Sequence, residues 1–268
     1  MGARAIWKGR IRFGGADVPV KLYSAVQDRA VHFRLLDAKR RQPIRQHMVD
    51  PDTGKVVESA DVRRAFESDE GDLVVLDAEE LEELVPKPSR DIQITRFVPV
   101  GEIDHPWYDR PYWLGPDEEE DAAYSALVQA IARREVEGLA RWVMRNKEYA
   151  GALRVEGEHL MLITLRHAGE VVPASALTPP SGRELDEREV AMAKQLVAAM
   201  EDEFDIAAYH DEYRERVLEL VEAKAAGKVV KFPKAPERKT ELSLADVLEQ
   251  SLAEAGKGTA KKKERKRA

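Results

Sequence analysis

Near the start of the chain apolar side chains alternate with polar or small ones twice in quick succession. Ile6, Ile11 and Phe13 do so in "IWKGRIRFGG", and Val18, Val20 and Leu22 in "ADVPVKLYSAV". A period of two sends successive side chains to opposite faces, so both runs read as half-buried strands, with Gly14-Gly15 as the turn between them. A sheet that begins this way needs further strands and a cover for its apolar face.

Further segments supply both. "VHFRLL" is a strand candidate, and "DPDTGKVV" reads as a tight turn entering a strand. That turn is no calcium loop: counted from Asp50, glycine falls fifth instead of sixth, and Asp61 stands where a bidentate Glu belongs. "DAEELEELV" predicts a short helix started by Asp77. "DIQITRFVPV" predicts a strand through Ile92, Ile94, Phe97 and Val98, and "WYDRPYWLGP" an irregular strand or loop. From Glu118, "EEEDAAYSALVQAIARREVEGLARWVMRN" takes on helical character, opening on acids and placing Tyr124, Leu127, Val128 and Ile131 at helical spacing. "EHLMLITLRH" returns to strand, so the fold class is α+β.

Residues 184–227 predict two consecutive helices. The second carries Tyr213, Val217, Leu220 and Lys224 on one stripe and stops at Gly227. Residues 229–242 are rich in proline and charge and read as a linker. In residues 243–256, Ser243 and Asp246 form a capping box, and Leu244, Val247, Leu248 and Leu252 make one apolar face. A helix that short is marginal alone, which suits a partner-binding element. The apolar stripe of 209–227, together with Trp107, Tyr108, Tyr112 and Trp113, exceeds what one small domain would cover and predicts a dimer.

Charge is distributed unevenly. Residues 1–48 carry a net +8 and residues 257–268 a net +6, so the 208 residues between them carry −21 within a chain total of −7. A polyanion responds to local potential, so the overall acidity does not exclude nucleic acid. Catalytic signatures are missing: there is no phosphate-binding glycine loop, no H-E-x-x-H and no G-x-S-x-G, and the six histidines lack metal-ligand spacing. With no cysteine, thiol chemistry is excluded, and the chain fits a reducing compartment. No apolar signal core or membrane-length run is present, so a cytoplasmic protein is expected, with no enzyme activity, no cofactor and no metal. Two other readings are a nucleoid or regulatory DNA-binding protein, and a lyase or nuclease acting on DNA.

Several stretches together resemble one family. "AIWKGRIRFGGADVPVKLYSA", "VHFRLL", "LVVLDAEELEEL", "DIQITRFVPVGEID", "YWLGPDE" with "AYSALVQAI", and "DEYRERVLELVEAKAAGK" are similar, in order, to segments of bacterial Ku proteins over about residues 4–228. The sequence departs from the family pattern at Arg64-Ala65-Phe66-Glu67, where Lys-Gly-Tyr-Glu is common, and at Val172, where an arginine is usual.

The resemblance implies a Ku-type β-barrel core with an extended DNA-encircling bridge and a C-terminal helical arm over 1–228. After it come the linker, a ligase-recruiting helix at 243–256 and a basic tail at 257–268. It implies a homodimeric ring that takes double-stranded DNA ends without sequence preference and recruits the ATP-dependent DNA ligase D in non-homologous end joining. Within the resembling region the expected DNA-binding residues are Lys21, Arg34, Lys39, Arg40, Arg41, Arg45, Arg63, Arg64, Arg141, Arg145 and Lys147, joined in the tail by Lys261, Lys262, Lys263, Arg265, Lys266 and Arg267. Leu244, Val247, Leu248 and Leu252 are the expected partner-binding face.

Overall fold

The computed structural model describes residues 4–117, 121–179, 181–182 and 186–228. They fall into two compact units, one made of residues up to 29 and 33–176, the other of 30–32 and the chain from 177 onward. The expected linker, ligase-recruiting helix and basic tail lie outside the described residues.

The first unit is a closed seven-stranded barrel. Its elements in chain order are β1 (Trp7–Phe13), β2 (Ala16–Ser24), β3 (Arg64–Glu67), β4 (Leu73–Leu76), α1 (Ala78–Glu83), β5 (Asp91–Pro99), β6 (Tyr108–Pro116), α2 (Asp121–Arg134), β7 (Val136–Met144), β8 (Lys147–Glu156) and β9 (His159–Leu165). Around the barrel the order is β1-β2-β6-β9-β8-β7-β5. The seam is closed by β1 running parallel to β5, with Ile11 opposite Ile92, while the other barrel pairs are antiparallel.

The alternation read at the N-terminus is the alternation of the barrel wall. Ile11, Val18, Val20 and Leu22 point inward and are buried, joined by Ile92, Ile94, Leu114, Leu153, Leu160 and Leu162. Ile6 precedes β1 and is exposed; Trp7, half-buried, packs against the core instead. Helix α2 adds Tyr124, Leu127 and Ile131 to this core, at the spacing that places them on one face. The Tyr124 hydroxyl donates to the Leu114 carbonyl (2.6 Å) and accepts from the Leu160 amide (2.8 Å), tying the helix to two strands. Its burial pushes the phenol pKa up.

The helix expected from Glu118 onward ends sooner than its sequence suggests. It stops at Arg134, Glu135 turns the chain with φ 50, and residues 136–144 are strand β7. Gly138, Ala140, Trp142 and Met144 are the buried residues on its inner face. "VHFRLL" forms no strand: Leu36 makes a single bridge to Pro43. The "DPDTGK" turn is present, with the Asp50 carboxylate accepting from the amides of Asp52 (2.9 Å) and Thr53 (2.8 Å), but only Val49 and Val56 pair beyond it. Those bonds, the one from Thr53 first, hold the Asp50 carboxyl below its usual pKa. "WYDRPYWLGP" is an irregular strand, β6, whose register shifts between Tyr108 and Pro111.

A carboxylate is sealed into this wall. Glu137 on β7 is 1% exposed; one carboxylate oxygen accepts from the Tyr108 hydroxyl (2.7 Å), and the other lies 3.5 Å from the Arg154 guanidinium without a hydrogen bond. Burial first, then the Glu137 carboxylate, pushes the Tyr108 pKa up to about 12. Replacing Tyr108 with phenylalanine should cost about 1–3 kcal/mol, because a buried carboxylate oxygen loses its donor. A phenol whose folded pKa exceeds the unfolded value of about 10 stabilises as its protonated form. The difference between wild type and Tyr108→Phe should therefore be full below pH 10 and fade as pH rises toward 12, as read from urea unfolding of both proteins across that range.

The second unit holds α3 (Glu187–Met200) and α4 (Glu212–Ala225). Asp186 and Glu189 form a reciprocal capping box at the start of α3, with bonds of 2.7 and 3.1 Å. Asp211 caps α4 by accepting from the Arg214 amide (2.9 Å). The helix ends where the Lys228 amide reaches back to the Ala223 carbonyl (2.8 Å) past Gly227, which has φ 72. Val217 and Leu220 of the expected stripe are half-buried, while Tyr213 is exposed. Among the described residues no helix is long and apolar enough to cross a membrane.

Candidate nucleic-acid interface

The long excursion between β2 and β5, residues 25–90, contributes no strand to the barrel. Its first half carries Arg34, Lys39, Arg40, Arg41 and Arg45, all exposed, with Asp37 as the one acid from 29 to 48. Local hydrogen bonding fixes how the three consecutive cations are presented. The Asp37 carboxylate accepts from the amides of Lys39 (3.0 Å) and Arg40 (2.5 Å), and its carbonyl accepts from Arg41 (2.8 Å). Asp37 and Gln42 close the turn (2.8 Å), followed by Ile44 to Leu35 (3.2 Å). Arg41 holds φ 56 at the tip. The Asp37 carboxylate is thus committed to backbone amides, and among the described residues no carboxylate makes an ion pair with any of these five side chains.

The other expected cations have different surroundings. Lys21, on β2, lies 2.9 Å from Asp117, which also takes Lys8 at 3.2 Å. Arg141, on β7, is 3.9 Å from Glu148, and Lys147, on β8, lies over the Tyr149 ring at 5.5 Å. Arg145 and Asn146 are the two central residues of the β7–β8 turn, both with positive φ (53 and 62), the arrangement a two-residue hairpin favours. Arg63 donates to the carbonyls of Ala60 (2.7 Å) and Val62 (3.3 Å), and Arg64 is exposed on β3. The expected set therefore divides into a group at 34–45 with no ion pair among the described residues, Arg63 and Arg64 at the start of β3, a hairpin group at 141–147, and Lys21 in an ion-pair network. The six tail cations lie outside the described residues.

Counting charge along the sequence could not make that division. Arg10 and Arg12 also contribute to the basic N-terminus, yet both bind Asp17 (2.6 and 3.5 Å), and Arg12 reaches Asp91 (3.1 Å). The Arg10 hydrogen bond leads the effects that hold the Asp17 carboxyl below its ordinary pKa. The sequence reading missed Arg90, which precedes β5 and lines a cavity with Arg145. No group of three or more His, Asp or Glu residues able to hold a metal occurs among the described residues.

The aromatics read as uncovered are not the exposed apolar surface. Tyr112 is buried in the barrel core, and Trp107, Tyr108 and Trp113 are half-buried on their own strand and the turn before it. Tyr108, Tyr112 and Trp113 lie on β6, which runs between β2 and β9. Exposed apolar side chains lie in the excursion instead, where Phe33, Leu35, Met48, Phe66, Leu73 and Val75 are all more than half exposed, and in the helical unit, where Met200, Phe204, Ile206, Tyr209 and Tyr213 are too. Phe66, at the first departure from the family pattern, pairs with Val74 in the two-stranded sheet; Val172, at the second, is exposed.

Residues 12–192 match the family model described as the Ku70/Ku80 beta-barrel domain. The chain is 33% identical over 262 residues to the non-homologous end joining protein Ku of Coxiella burnetii, covering 95% of this chain and 96% of that one. It is 34% identical over 270 residues to the protein of the same name from Heliobacterium modesticaldum, covering 98% of each. To its namesake in Mycolicibacterium smegmatis it is 36% identical over 228 residues, covering 84% of this chain and 72% of that one.

Proposed function

The chain belongs to the Ku β-barrel family, and from that premise we propose that it binds double-stranded DNA ends as a homodimeric ring in non-homologous end joining. The observation that carries this reading is the group of five cations at 34–45, exposed and with no carboxylate ion-pair partner among the described residues, on an excursion that leaves the barrel. Lysine and arginine on phosphates give affinity without reading bases, as a protein acting on any broken end requires. The exposed apolar side chains of the same excursion supply a surface that a second copy would cover. The cations of the 141–147 hairpin and the basic tail extend the phosphate track. The protein acts by binding, without catalysis, in the cytoplasm at the nucleoid.

Competition between linear and closed circular duplex tests the reading, because only a threaded ring demands an end. Linear DNA should win by at least tenfold at equal mass. Equal competition would instead mark a nucleoid or regulatory protein, and turnover of nicked or abasic DNA would mark a lyase or nuclease.

The partner in sealing the break is the ATP-dependent DNA ligase D, engaged by residues 243–256 as an amphipathic helix in a groove. Changing Leu244, Leu248 and Leu252 together to Asp should abolish stimulation of that ligase while leaving end binding within about twofold, since the helix lies apart from the cations at 34–45 in sequence. Full stimulation by the triple variant would remove the helix from the reading. On this division the core spans 1–228, the linker 229–242 and the tail 257–268.

A further inference from the structure

A cavity of about 310 Å³ opens where the excursion rejoins the barrel, walled by Trp7, Pro88, Arg90, Val143, Arg145 and Asn146 among others. No acid is among its lining residues, and among the described residues neither Arg90 nor Arg145 has a carboxylate ion-pair partner. The backbone fixes both arginines. The Arg90 carbonyl accepts from the Arg10 amide (2.8 Å), and Arg145 sits in the tight β7–β8 turn. Gly9 makes the wall possible: a Cβ there would lie 2.0 Å from the Trp7 ring and 2.6 Å from the Arg90 carbonyl oxygen. The site thus combines an aromatic surface, apolar edges from Pro88 and Val143, an amide, and two guanidinium groups.

We propose that this cavity receives one unpaired nucleotide at a DNA strand end, its phosphate held by Arg90 and Arg145 and its base set against Trp7. The volume lies at the small end of ligand pockets, which suits a single nucleotide better than a duplex. Guanidinium groups bind phosphate through paired N–H donors, and aromatic rings accept any base by stacking, so the site discriminates single-stranded from paired ends without reading sequence. The inference rests on the end-binding reading and adds a preference among ends.

The test uses the full chain with two duplexes of equal length, one blunt and one with a four-nucleotide overhang ending in 4-thiothymidine for photo-crosslinking. The variant combines Arg90→Gln with Arg145→Asn, the asparagine being chosen to keep the positive-φ turn. The expected result is a crosslink within residues 7–9, 88–90 or 145–146, and a loss of affinity roughly tenfold larger on the overhang duplex than on the blunt one. Equal losses on both duplexes, or a crosslink confined to other segments, would overturn the cavity's role while end binding stands. Failure of the unaltered chain to bind either duplex would overturn the end-binding reading itself, and this inference with it.

Discussion

Alanine at Gly151 should lower the stability of the barrel by about 3 kcal/mol, and unfolding in urea should show it as a fall in midpoint at constant slope. The added Cβ would lie 2.5 Å from Cζ3 of Trp142 and 2.7 Å from the Ile163 carbonyl oxygen. Neither obstacle can yield cheaply. Trp142 is 2% exposed and stacked on Tyr149 with ring centroids 5.4 Å apart, while Ile163 sits in β9 opposite Ala152 of β8. Moving the ring disturbs the core, and moving the carbonyl disturbs the strand ladder. Against this stands a gain of roughly 0.5–1 kcal/mol from removing a glycine from a strand, too little to offset the crowding. Gly169→Ala is the control, because a Cβ there meets nothing within 4 Å and the backbone has no positive φ. A Gly151→Ala protein as stable as Gly169→Ala would mean that the ring can move at small cost.

The second large effect concerns DNA. Neutralising Arg34, Lys39, Arg40 and Arg45 to Gln and Arg41 to Asn should weaken end binding by roughly a thousandfold at low salt. It should also flatten the slope of log K against log [salt] by up to about 4.5, at about 0.9 for each phosphate lost. Stability should barely change, since the side chains are exposed and the turn is held by the Asp37 carboxylate on backbone amides. Asparagine suits position 41 because it tolerates φ 56. The informative comparison is Lys8, Arg10 and Arg12 changed to Gln. That variant removes three positive charges from the same basic N-terminus, but charges already matched by Asp117, Asp17 and Asp91. A similar loss of DNA affinity in both variants would show that total charge, rather than unpaired charge, governs binding.

That comparison also marks what the sequence could reveal. The β1–β2 hairpin was legible because buried Ile11, Val18, Val20 and Leu22 alternate with an outer row that carries Arg10, Arg12, Asp17 and Lys21. Strand β7 was not. Leu139 and Val143 are half-buried on the face opposite Ala140, Trp142 and Met144, so apolar residues occupy both sides and the period of two disappears. "VHFRLL" misled in the opposite way, since Phe33 and Leu35 have strand-like composition yet stand exposed on a segment held by turns. The basic region was legible as a total. Its division into paired and unpaired cations depends on strand register, which brings Lys8 within reach of Asp117 across 109 positions. Local patterns carry no trace of that proximity.

The parallel seam between β1 and β5 bears on how the molecule is made. Strand β1 leaves the ribosome well before its seam partner, which begins at Asp91, and the strands that complete the cylinder extend to Leu165. Until then, edges of the nascent sheet remain open to pairing with other chains. Contacts of such long range are slow to form, so folding should be limited by closure of the cylinder rather than by its early hairpin. Closure entropy grows only with the logarithm of loop length. The excursion that carries the cations can therefore lengthen or shorten with little thermodynamic consequence, leaving the reach of its basic surface open to variation while the cylinder that anchors it stays the same.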